Sequence, residues 1–520
     1  MKKELPIGIS TFAELIQENY VYIDKTEIIY QLVSRKKYYF LHRPRRFGKS
    51  LLVSTLSEIF KGNKELFSGL AIDALPYSWK KHPVIMISFA SIAHTSPEIL
   101  NNGIKLYLQG IAQDYDILLH GERLPGEMLK ELVQQLAKQN SVVLLIDEYD
   151  YPILQNIHKK EVAHEVREAL KNFYSVIKDL DKHLRFVFFT GVSKFSQTSI
   201  FSGLNNLEDI SLDEPFNALL GYTKPEIITY FPMHLAEAAQ SVDCSMEKLL
   251  EEITDWYDGY LFTGIKNSIK IYNPFSVLLF LSKKRFSNYW FQTATPTFLI
   301  NLLKLHDYPI QDFEYIEATE SELGAFDIDM LPLKTLLFQT GYVTIESYNS
   351  ETGNYLLSYP NRETRNSFIE YIFASITHQS GIILSNTAIS LLKAFAQLDF
   401  QQVKKIVTSF FASVPYGIHI GEEKYYQTIF YIVLKMVGAT IVVEEQTNIG
   451  RIDAVLETKN NYFIIEFKIN SSASKALDQI ENKKYYQPYE GLGKKIVLVG
   501  IAFDTILKNV SDIEYRELER

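Results

Sequence analysis

Short apolar segments alternate with helical segments along the first two hundred residues of the chain. The apolar segments that we interpret as strands are Lys37–His42, Pro83–Ala90, Ser141–Ile146 and Arg185–Thr190. The third of them, SVVLLI, is apolar almost throughout, which is typical of a strand buried on both faces of a parallel sheet. Strands that alternate with helices in this way predict the α/β class, with a parallel sheet in the N-terminal part.

The strand alternation fades after the fourth strand, and a new set of helix and strand patterns begins near residue 401. The segment between them is rich in aromatic residues and mostly helical in pattern, with breaks at Pro and Gly. In the C-terminal segment a helix at 422–437 precedes three strands, a second helix and a last strand. We therefore expect four regions: a parallel α/β domain at 1–215, a helical lid at 216–290, a helical or winged-helix-like region at 291–400, and a small α/β domain at 401–520.

Composition excludes several classes of protein. Hydrophobic residues make up 47% and charged residues 22% of the 520, which is ordinary for globular proteins and unlike disordered or fibrous chains. No apolar run approaches the ~18 residues of a membrane span, and no apolar stretch follows the two N-terminal lysines as in a signal peptide. The single cysteine, Cys244, leaves no intramolecular disulfide and is typical of a reducing compartment. We expect a cytoplasmic protein.

The net charge of −9 is unevenly distributed. The 121 residues from Phe400 to Arg520 hold 15 Lys and Arg and 15 Asp and Glu, which leaves 38 of the 53 basic and 47 of the 62 acidic side chains in the other 399 residues. The acidic excess therefore belongs to the N-terminal and middle regions. The total charge argues against nonspecific coating of nucleic acid, but it does not exclude a local nucleic-acid site in the balanced C-terminal domain.

Asp24–Glu27 (DKTE) directly precedes a helical pattern. A capping box has an acceptor at the N-cap and a glutamate three residues later. We therefore expect Asp24 to cap this helix with Glu27, and we assign neither residue a catalytic role.

A basic loop, Arg43–Ser50 (RPRRFGKS), lies between the first predicted strand and the next helix. It ends in Gly-Lys-Ser, as a phosphate-binding P-loop does, although Arg43 stands where that pattern has its first glycine. Gly48 would let the backbone approach a phosphate, Lys49 would reach the terminal phosphates and Ser50 would ligate Mg²⁺. The nucleotide-binding candidates of this loop are Arg45, Arg46, Phe47, Gly48, Lys49, Ser50 and Leu51.

The apolar strand at 142–146 runs directly into two acids, Asp147 and Glu148. In P-loop NTPases this arrangement places one carboxylate near Mg²⁺ and a second acid or amide beside the attacking water. Asp147 is therefore a candidate ligand of metal and nucleotide, Glu148 a candidate catalytic residue, and Thr190, at the end of the next buried strand, a candidate contact of the γ-phosphate. Two acids alone would be better explained as a solvated strand end, but their order after strand, Gly-Lys-Ser and helix favours nucleotide binding.

Asp453 and the tripeptide Glu466-Phe467-Lys468 lie on consecutive predicted strands joined by a turn at Lys459–Asn461. Positions 453 and 466 are symmetric about this turn, so a tight hairpin places them opposite each other. Because side chains alternate along a strand, Glu466 and Lys468 share a face. Two facing carboxylates suit Mg²⁺ or Mn²⁺, and a lysine beside them would activate or stabilise a water that attacks a phosphodiester. We take Asp453 and Glu466 as candidate metal ligands and all three charged residues as candidate catalytic residues.

The competing interpretation of this hairpin is a surface hairpin with an ion pair, either between Glu466 and Lys468 or between Asp453 and Arg451. It is the better interpretation of the tripeptide alone. The order of Asp453, tripeptide and flanking helices favours a metal site instead.

Two polar residues on the flanking helices are further candidates for this site. Glu423, near the start of the preceding helix, would add a third carboxylate, and the helical period does not choose cleanly between it and Glu422. Gln479 lies on the helix after the hairpin. A solvated helix face is the alternative for each of them.

The N-terminal part of the chain resembles the AAA-ATPase-like family, whose P-loop has the form R-P-R-R-F-G-K-S found here at Arg43–Ser50. In that family the absence of the first glycine is a shared trait. Further segments that resemble its recurrent blocks are Tyr22–Thr26, Ile146–Asp150, Thr190–Ser193, Tyr257–Tyr260 and Tyr272–Ser276. The resemblance covers roughly the first 280 residues and implies a P-loop NTPase fold, while the middle of the chain is thinly matched.

The last 110 residues, roughly, are similar to the PD-(D/E)XK nuclease superfamily. The matching segments, in the expected order, are Glu423–Gln427, Gly450–Asp453, Glu466–Lys468 and Gln479–Ile480 with Tyr485. Ile452 precedes Asp453 where the superfamily pattern has proline, a position that is variable in it. The resemblance implies a restriction-endonuclease-like α/β domain with its active-site positions filled.

These observations predict an ATP-binding and ATP-hydrolysing protein with a metal-dependent nuclease domain that acts on DNA or RNA. The cofactors implied are ATP and Mg²⁺, with Mn²⁺ as an alternative at the nuclease site; the partners implied are nucleic acid and further copies of the chain, and no membrane. Two alternatives stay open: a nucleotide-dependent switch or scaffold whose nuclease fold binds nucleic acid without cleaving it, and an ATP-driven remodeller of proteins.

Overall fold

The computed structural model describes residues 2–195, 200–201, 204, 206–290, 316–324, 328–329, 332–377, 381–413, 430, 433, 440–447 and 450–518. Contacts between Cα atoms divide them into two units, the first containing the described residues up to Arg365 and the second those from Asn366 onwards. Among the described residues, no helix has both the length and the apolar character needed to cross a membrane.

A five-stranded sheet lies at the centre of the first unit. Its strands are β1 (Tyr38–His42), β2 (Val84–Ser88), β3 (Val142–Asp147), β4 (Leu184–Gly191) and β5 (Glu208–Asp209). They are ordered β2-β3-β4-β1-β5, and every neighbouring pair is parallel. All residues of β1 and β3 are buried, which explains why their sequences are apolar without alternation. The predicted α/β class with a parallel sheet is confirmed.

Helices cover both faces of this sheet. They are α1 (Phe12–Gln17), α2 (Thr26–Arg35), α3 (Lys49–Lys61), α4 (Pro97–Asp114), α5 (Pro125–Leu136), α6 (Tyr151–Asn156) and α7 (Lys160–Ser175). On one face Leu56 of α3 shares a core with Val143. On the other face Tyr174 of α7 packs edge-on against Phe189, with ring centroids 5.3 Å apart. Because parallel strands are connected through helices, this layering follows from the alternation in the sequence.

Four helices after the sheet form a second core of the first unit. They are α8 (Lys224–Tyr230), α9 (Pro232–Ser241), α10 (Met246–Tyr257) and α11 (Pro274–Lys283). Phe231, Leu249 and Phe280 are buried in this core together with Ile23 of the N-terminal segment. The helical layer is therefore tied to the segment that leads into β1.

The first unit also contains a three-stranded antiparallel sheet, ordered β6-β8-β7. Its strands and the helices beside it are β6 (Ile316–Thr319), α12 (Glu320–Leu323), α13 (Leu333–Thr340), β7 (Thr344–Asn349) and β8 (Asn354–Ser358). The next helix, α14 (Arg362–Thr377), begins in the first unit and continues into the second. The sequence pattern of this stretch indicates helices more than strands. The strands have four to six residues, too few for their alternation to stand out beside the helical segments.

The second unit is built on a five-stranded sheet ordered β13-β12-β11-β10-β9. Its elements are α15 (Gly381–Ala396), α16 (Phe400–Ala412), β9 (Thr440–Thr447), β10 (Gly450–Glu457), β11 (Asn461–Ile469), α17 (Ala473–Asn482), β12 (Lys495–Asp504) and β13 (Asn509–Glu517). Only β11 and β12 pair in parallel. The small C-terminal α/β domain is thus confirmed, with β13 as a strand that the sequence did not predict. The helix predicted at 422–437 falls almost wholly outside the described residues.

The capping box predicted for Asp24 and Glu27 is wrong. α2 begins at Thr26, and its N-cap residue Lys25 makes no side-chain capping bond. Asp24 instead accepts hydrogen bonds from the backbone N–H groups of Thr26 at 2.8 Å and Ala71 at 2.7 Å, one at each carboxylate oxygen. An aspartate readily bonds the amide two residues ahead, and here that local bond prevails over the capping box.

Candidate nucleotide and nuclease sites

The loop between β1 and α3 has an open space at its glycine. Arg46 and Gly48 both adopt left-handed backbone conformations, with φ of 68° and 95°. A Cβ atom at Gly48 would meet no described atom within 4 Å. α3 begins at the next residue, so the first N–H groups of the helix lie beside this space. The combination suits a bound phosphate.

Lys49 is buried at the start of α3. Its ammonium group donates hydrogen bonds to the backbone carbonyls of Arg43 and Pro44, each at 3.0 Å. Burial lowers the pKa of Lys49, while the negative charges of Asp147 and Glu148 act in the opposite direction. The amine is therefore held inside the loop and faces the two acids at the end of β3.

Arg43, at the position of the missing first glycine, is 1% exposed. Its guanidinium donates to the carbonyl oxygens of His42 at 3.0 Å and Ser211 at 2.6 Å and stacks 4.0 Å from the ring centroid of Phe262. Burial lowers the pKa of Arg43 to about 9. The side chain thus anchors the loop to the interior of the unit, a role that motif spacing does not reveal.

Asp147 and Thr190 lie next to each other at the ends of β3 and β4, one position beyond the pair Ile146 and Phe189. Asp147 is 5% and Thr190 0% exposed, and Oδ1 of the first and Oγ1 of the second have no hydrogen-bond partner among the described residues. Burial raises the pKa of Asp147, and a hydrogen bond from Ser50 lowers it. Since buried polar atoms are nearly always paired, these two oxygens fit an Mg²⁺–nucleotide complex that would supply their partners.

Glu148 follows in a left-handed conformation, with φ of 53°. Burial raises the pKa of its carboxyl group, and the charge of Lys49 lowers it. A glutamate whose proton affinity is raised in this way is suited to accept a proton from water.

Asp150 is a residue of this site that motif spacing did not single out. Its carboxylate accepts hydrogen bonds from the backbone N–H groups of Val192 at 3.0 Å and Ser193 at 2.7 Å, and from the hydroxyl of Ser193 at 2.6 Å. Gly191 packs so closely against this carboxylate that a Cβ atom has no room. Asp150 therefore shapes the chain that follows Thr190, and its signal in the sequence is its place as the last residue of the recurrent block Ile146–Asp150.

The remaining loop candidates have different environments. Arg46 stacks 4.8 Å from the ring centroid of Phe275. Phe47 is buried and packs edge-on against Tyr260, with centroids 4.8 Å apart. The carbonyl of Arg45 accepts a hydrogen bond of 3.1 Å from a tryptophan indole far along the chain. These residues hold the loop against the rest of the unit.

An apolar cavity adjoins the loop. It is lined by the N-terminal segment, α3, the turn before α8 and the start of α11, including Tyr22, Ile23, Gly48, Leu51, Tyr222 and Pro274. A larger cavity of about 970 Å³ opens beside the edge strand β2, but none of the described residues that line it is a predicted site residue.

In the second unit, β10 and β11 form the predicted antiparallel hairpin. Ala454 pairs with Ile465, so Asp453 and Glu466 follow as the next opposite positions. The register predicted from the turn is confirmed. The Asp453 carboxylate accepts a hydrogen bond of 2.8 Å from the backbone N–H of Phe467, which fixes it beside the strand that carries Glu466 and Lys468.

Glu466 is the centre of a polar cluster. It is 1% exposed, and its Oε1 accepts hydrogen bonds from Lys468 at 2.9 Å and from the side-chain amide of Gln479 on α17. Ile465 and Phe467, which alternate with these residues, are buried on the opposite face. The structure therefore brings Glu466, Lys468 and Gln479 together on the face covered by α17.

The ion pair of the competing interpretation is present, since Lys468 Nζ lies 2.9 Å from Glu466 Oε1. The hairpin is nevertheless buried at this point, which a surface hairpin would not be. Glu423 and its alternative Glu422 lie outside the described residues. Within the described ranges, no group of three or more His, Cys, Asp and Glu side chains is arranged to hold a metal ion. Asp453 and Glu466 supply two oxygen-bearing side chains, a donor type that fits Mg²⁺ or Mn²⁺.

Comparison with known proteins agrees with this organisation. A family model described as Predicted AAA-ATPase matches residues 6–201, and the PD-(D/E)XK nuclease superfamily model matches residues 421–512. A protein of Azotobacter chroococcum mcd 1, described as "Uncharacterized protein in vnfD 5'region", is 37% identical over 522 residues, an alignment that covers 98% of each chain. The resemblance stated from the motifs is confirmed: the chain belongs to the predicted AAA-ATPase family and carries a C-terminal domain of the PD-(D/E)XK nuclease superfamily.

Proposed function

We propose that the first unit binds ATP together with Mg²⁺ and hydrolyses it. The observation that carries the proposal is the pair of buried oxygens at Asp147 and Thr190, which have no partner among the described residues and lie at the strand ends beside the Gly-Lys-Ser loop. A cation for the carboxylate and a phosphate for the hydroxyl would satisfy both at once.

Each residue of the loop has a part in this proposal. When ATP binds, the Lys49 ammonium leaves the two loop carbonyl oxygens and donates to phosphate oxygens instead. The backbone N–H groups at the start of α3 donate to the phosphate groups of ATP. Ser50 and Asp147 would hold Mg²⁺, which neutralises phosphate charge. Glu148 orients a water molecule and accepts its proton.

Calorimetric titration of the wild-type protein with ATP and Mg²⁺ tests this proposal. Binding is expected for the wild type and strongly weakened for Asp147→Ala. A matched control is Asp181→Ala, because Asp181 lies outside the loop at the opposite end of β4. Equal ATP affinity of wild type and Asp147→Ala, or no binding by the wild type, would contradict the proposal.

We further propose that the second unit hydrolyses phosphodiester bonds of DNA or RNA with Mg²⁺ or Mn²⁺. Asp453 and Glu466 would hold the metal ion, which supplies an activated water and charge neutralisation. Lys468, 2.9 Å from Glu466, would stabilise the charge that develops on the attacked phosphate. Gln479 orients the Glu466 carboxylate from α17. Glu423 would add a third carboxylate to the metal site, as the resemblance to the superfamily implies.

A second candidate function is a nucleotide-dependent scaffold that binds nucleic acid without cleaving it. It is favoured by one observation: Lys468 and Gln479 both donate to the same oxygen of Glu466, so a protein cation already lies beside the buried carboxylate. Incubation of the wild-type protein with single- and double-stranded DNA and RNA, in Mg²⁺, Mn²⁺ or EDTA, separates the two. Cleavage that requires the metal supports the nuclease, whereas retention of nucleic acid without cleavage in any metal supports the scaffold.

A further inference from the structure

Residues far along the chain contact the P-loop backbone. Trp290, which is 1% exposed, donates a hydrogen bond of 3.1 Å from its indole N–H to the carbonyl of Arg45. Its ring packs edge-on against Tyr342, with centroids 5.3 Å apart. Gly341, the residue before, lies so near Pro44 that a Cβ atom on it would be 2.6 Å from Pro44 Cβ. Gly341, directly after α13, therefore lies against Pro44, and Trp290, which packs on Tyr342, contacts the next residue of the loop, Arg45.

The end of α13 also contacts the chain that follows Thr190. Gln339, which is 1% exposed, accepts a hydrogen bond of 2.8 Å from the backbone N–H of Lys194. Its amide group donates in turn to the carbonyl oxygens of Leu323 and Gly324. One helix end thus contacts both walls of the nucleotide site, the P-loop and the end of β4, without lining the site itself.

The start of α14 is hydrogen-bonded to Trp290 and to two residues of the lid region. The Glu363 carboxylate accepts hydrogen bonds from the backbone N–H of Trp290 and from the hydroxyl of Ser276, both at 2.7 Å. The hydroxyl of Thr364 lies 3.2 Å from that of Tyr260, within hydrogen-bond distance. The first unit ends one residue later, where α14 leads into the second unit.

We propose that Gln339 and Trp290 are positioning residues that transmit the nucleotide state of the P-loop and of β4 to the start of α14. This inference rests on the proposed nucleotide site, because it concerns the regulation of that site. A phosphate that enters beside Gly48 withdraws Lys49 from the Arg43 and Pro44 carbonyls, and a γ-phosphate bound by Thr190 acts on the chain that leads to Lys194.

A shift of the P-loop or of the chain after β4 is expected to move the residues hydrogen-bonded to it. The reason is that close-packed interiors change between discrete arrangements and do not deform gradually. The indole of Trp290 and the amide of Gln339 each bond to a backbone atom of the site walls, and Trp290 also bonds to Glu363 through its own backbone. Movement of the P-loop therefore has a direct route to the first turn of α14 through Trp290. Movement of the chain at Lys194 reaches it indirectly, through Gln339 at the end of α13 and Tyr342, which packs against Trp290.

Hydrogen exchange of the full-length protein, followed by mass spectrometry with and without a non-hydrolysable ATP analogue and Mg²⁺, tests the inference. The reporting peptides cover residues 333–345 and 361–368, none of which is assigned a contact with the nucleotide. In the wild type the analogue is expected to change their exchange rates by about 5-fold or more. Trp290→Phe keeps an aromatic ring but removes the indole donor, and Gln339→Ala removes the bond to Lys194.

Each variant is expected to bind the analogue within about 3-fold of the wild-type affinity, while the nucleotide-dependent change at 361–368 falls below about 2-fold. Lys334→Ala changes a half-buried lysine at the start of the same helix, whose ammonium donates to the Glu317 carbonyl, and serves as the control that keeps the full response. Circular dichroism at rising temperature shows whether either variant has lost its fold. If one of the two variants is unfolded, the exchange measured on the other variant tests the inference.

The outcomes separate the inference from the proposed function. If calorimetry finds no nucleotide binding by the wild type, both fail. The inference alone is overturned in two cases. In the first, the nucleotide binds but peptide 361–368 of the wild type does not respond. In the second, the peptide responds in Trp290→Phe and Gln339→Ala as strongly as it does in the wild type.

Discussion

The carboxylate of Asp453 accepts a hydrogen bond of 2.8 Å from the backbone N–H of Phe467, on the neighbouring strand of the second unit. This bond places the half-buried Asp453 carboxylate beside Glu466 and locks the hairpin in one register. A shift by a single residue would turn Glu466 and Lys468 to the opposite face. The proposed metal site is therefore a consequence of strand pairing.

Lys468→Ala tests the proposed chemistry of this hairpin. Loss of the ammonium removes the charge that would stabilise the attacked phosphate, so we expect cleavage of DNA or RNA to fall by about 100-fold or more. Initial cleavage rates in Mg²⁺ and Mn²⁺ measure the effect. Lys475→Ala, an exposed lysine on α17, is the matched control, and equal rates for Lys468→Ala and wild type would exclude the catalytic role.

Gln479→Ala removes the amide that donates to Oε1 of Glu466. Groups that orient a metal ligand commonly contribute 10- to 100-fold to metal affinity, so we expect the Mg²⁺ concentration for half-maximal cleavage to rise by about that factor. Full activity should return at saturating metal. Asp478→Asn, one residue earlier and exposed, should leave the metal dependence unchanged; a Gln479→Ala curve that coincides with the wild type would show that the amide does not position the ligand.

Lys49→Ala removes the ammonium that two loop carbonyls hold in place. Since a charge-assisted hydrogen bond contributes about 1.5–3 kcal/mol, we expect the Kd for ATP to rise on the order of 100-fold. Lys61→Ala, at the exposed end of the same helix, controls for a general change in charge. Calorimetry that finds unchanged ATP affinity for Lys49→Ala would refute the P-loop assignment.

Glu148→Gln separates binding from hydrolysis. The amide cannot accept a proton from water, so we expect kcat to fall by about 10²- to 10⁴-fold while the Kd for ATP stays within about 3-fold. Phosphate release measures the first quantity and calorimetry the second. Glu161→Gln on α7 is the control; an undiminished kcat in Glu148→Gln would assign the proton transfer to another group.

Glu363 makes the stability of the first unit depend on pH. Burial raises its pKa to about 7, so between its ordinary value and pH 7 the folded protein holds a proton that the unfolded chain has released. Stability from this group is therefore present at low pH and is lost as the pH rises towards 7, by roughly 3 kcal/mol. Glu363→Gln, which does not titrate, should lack this loss.

Urea unfolding at pH 5, 6 and 7 measures this dependence. All three tryptophans, Trp79, Trp256 and Trp290, belong to the first unit, so tryptophan fluorescence reports on that unit alone. Glu346→Gln, at an exposed position of the same unit, should keep the wild-type slope. A wild-type slope equal to that of Glu363→Gln would show that the Glu363 carboxyl is not protonated in the folded state.

Local patterns were sufficient for much of the fold and of both candidate sites. Continuous apolar runs predicted the buried parallel strands, the Gly48-Lys49-Ser50 segment predicted a loop between a strand and a helix, and the symmetry of Asp453 and Glu466 about the turn predicted the register. Each of these signals lies within one element or between two consecutive elements.

The contacts that no local pattern predicted join distant parts of the chain. Gln339 and Lys194 are 145 residues apart, and Trp290 and Arg45 are 245 apart. Arg43 stands in a recognisable position, but the carbonyl of Ser211 that it binds is supplied 168 residues later. A single sequence has no period or spacing that links such pairs, because only the folded chain brings them together.

The strand order β2-β3-β4-β1-β5 has a consequence for how the chain acquires its structure. Among the described strands, β1, which leads into the P-loop, pairs only with β4 and β5, whose partner residues follow it by 149 and 169 positions. Pairings over such separations form slowly, because a long loop must close before any strand contact is gained. During synthesis on the ribosome, β1 therefore cannot pair with β4 until the chain up to Gly191 has emerged. A fragment that ends before β4 lacks the strand that joins β1 to β3, so it cannot form the sheet.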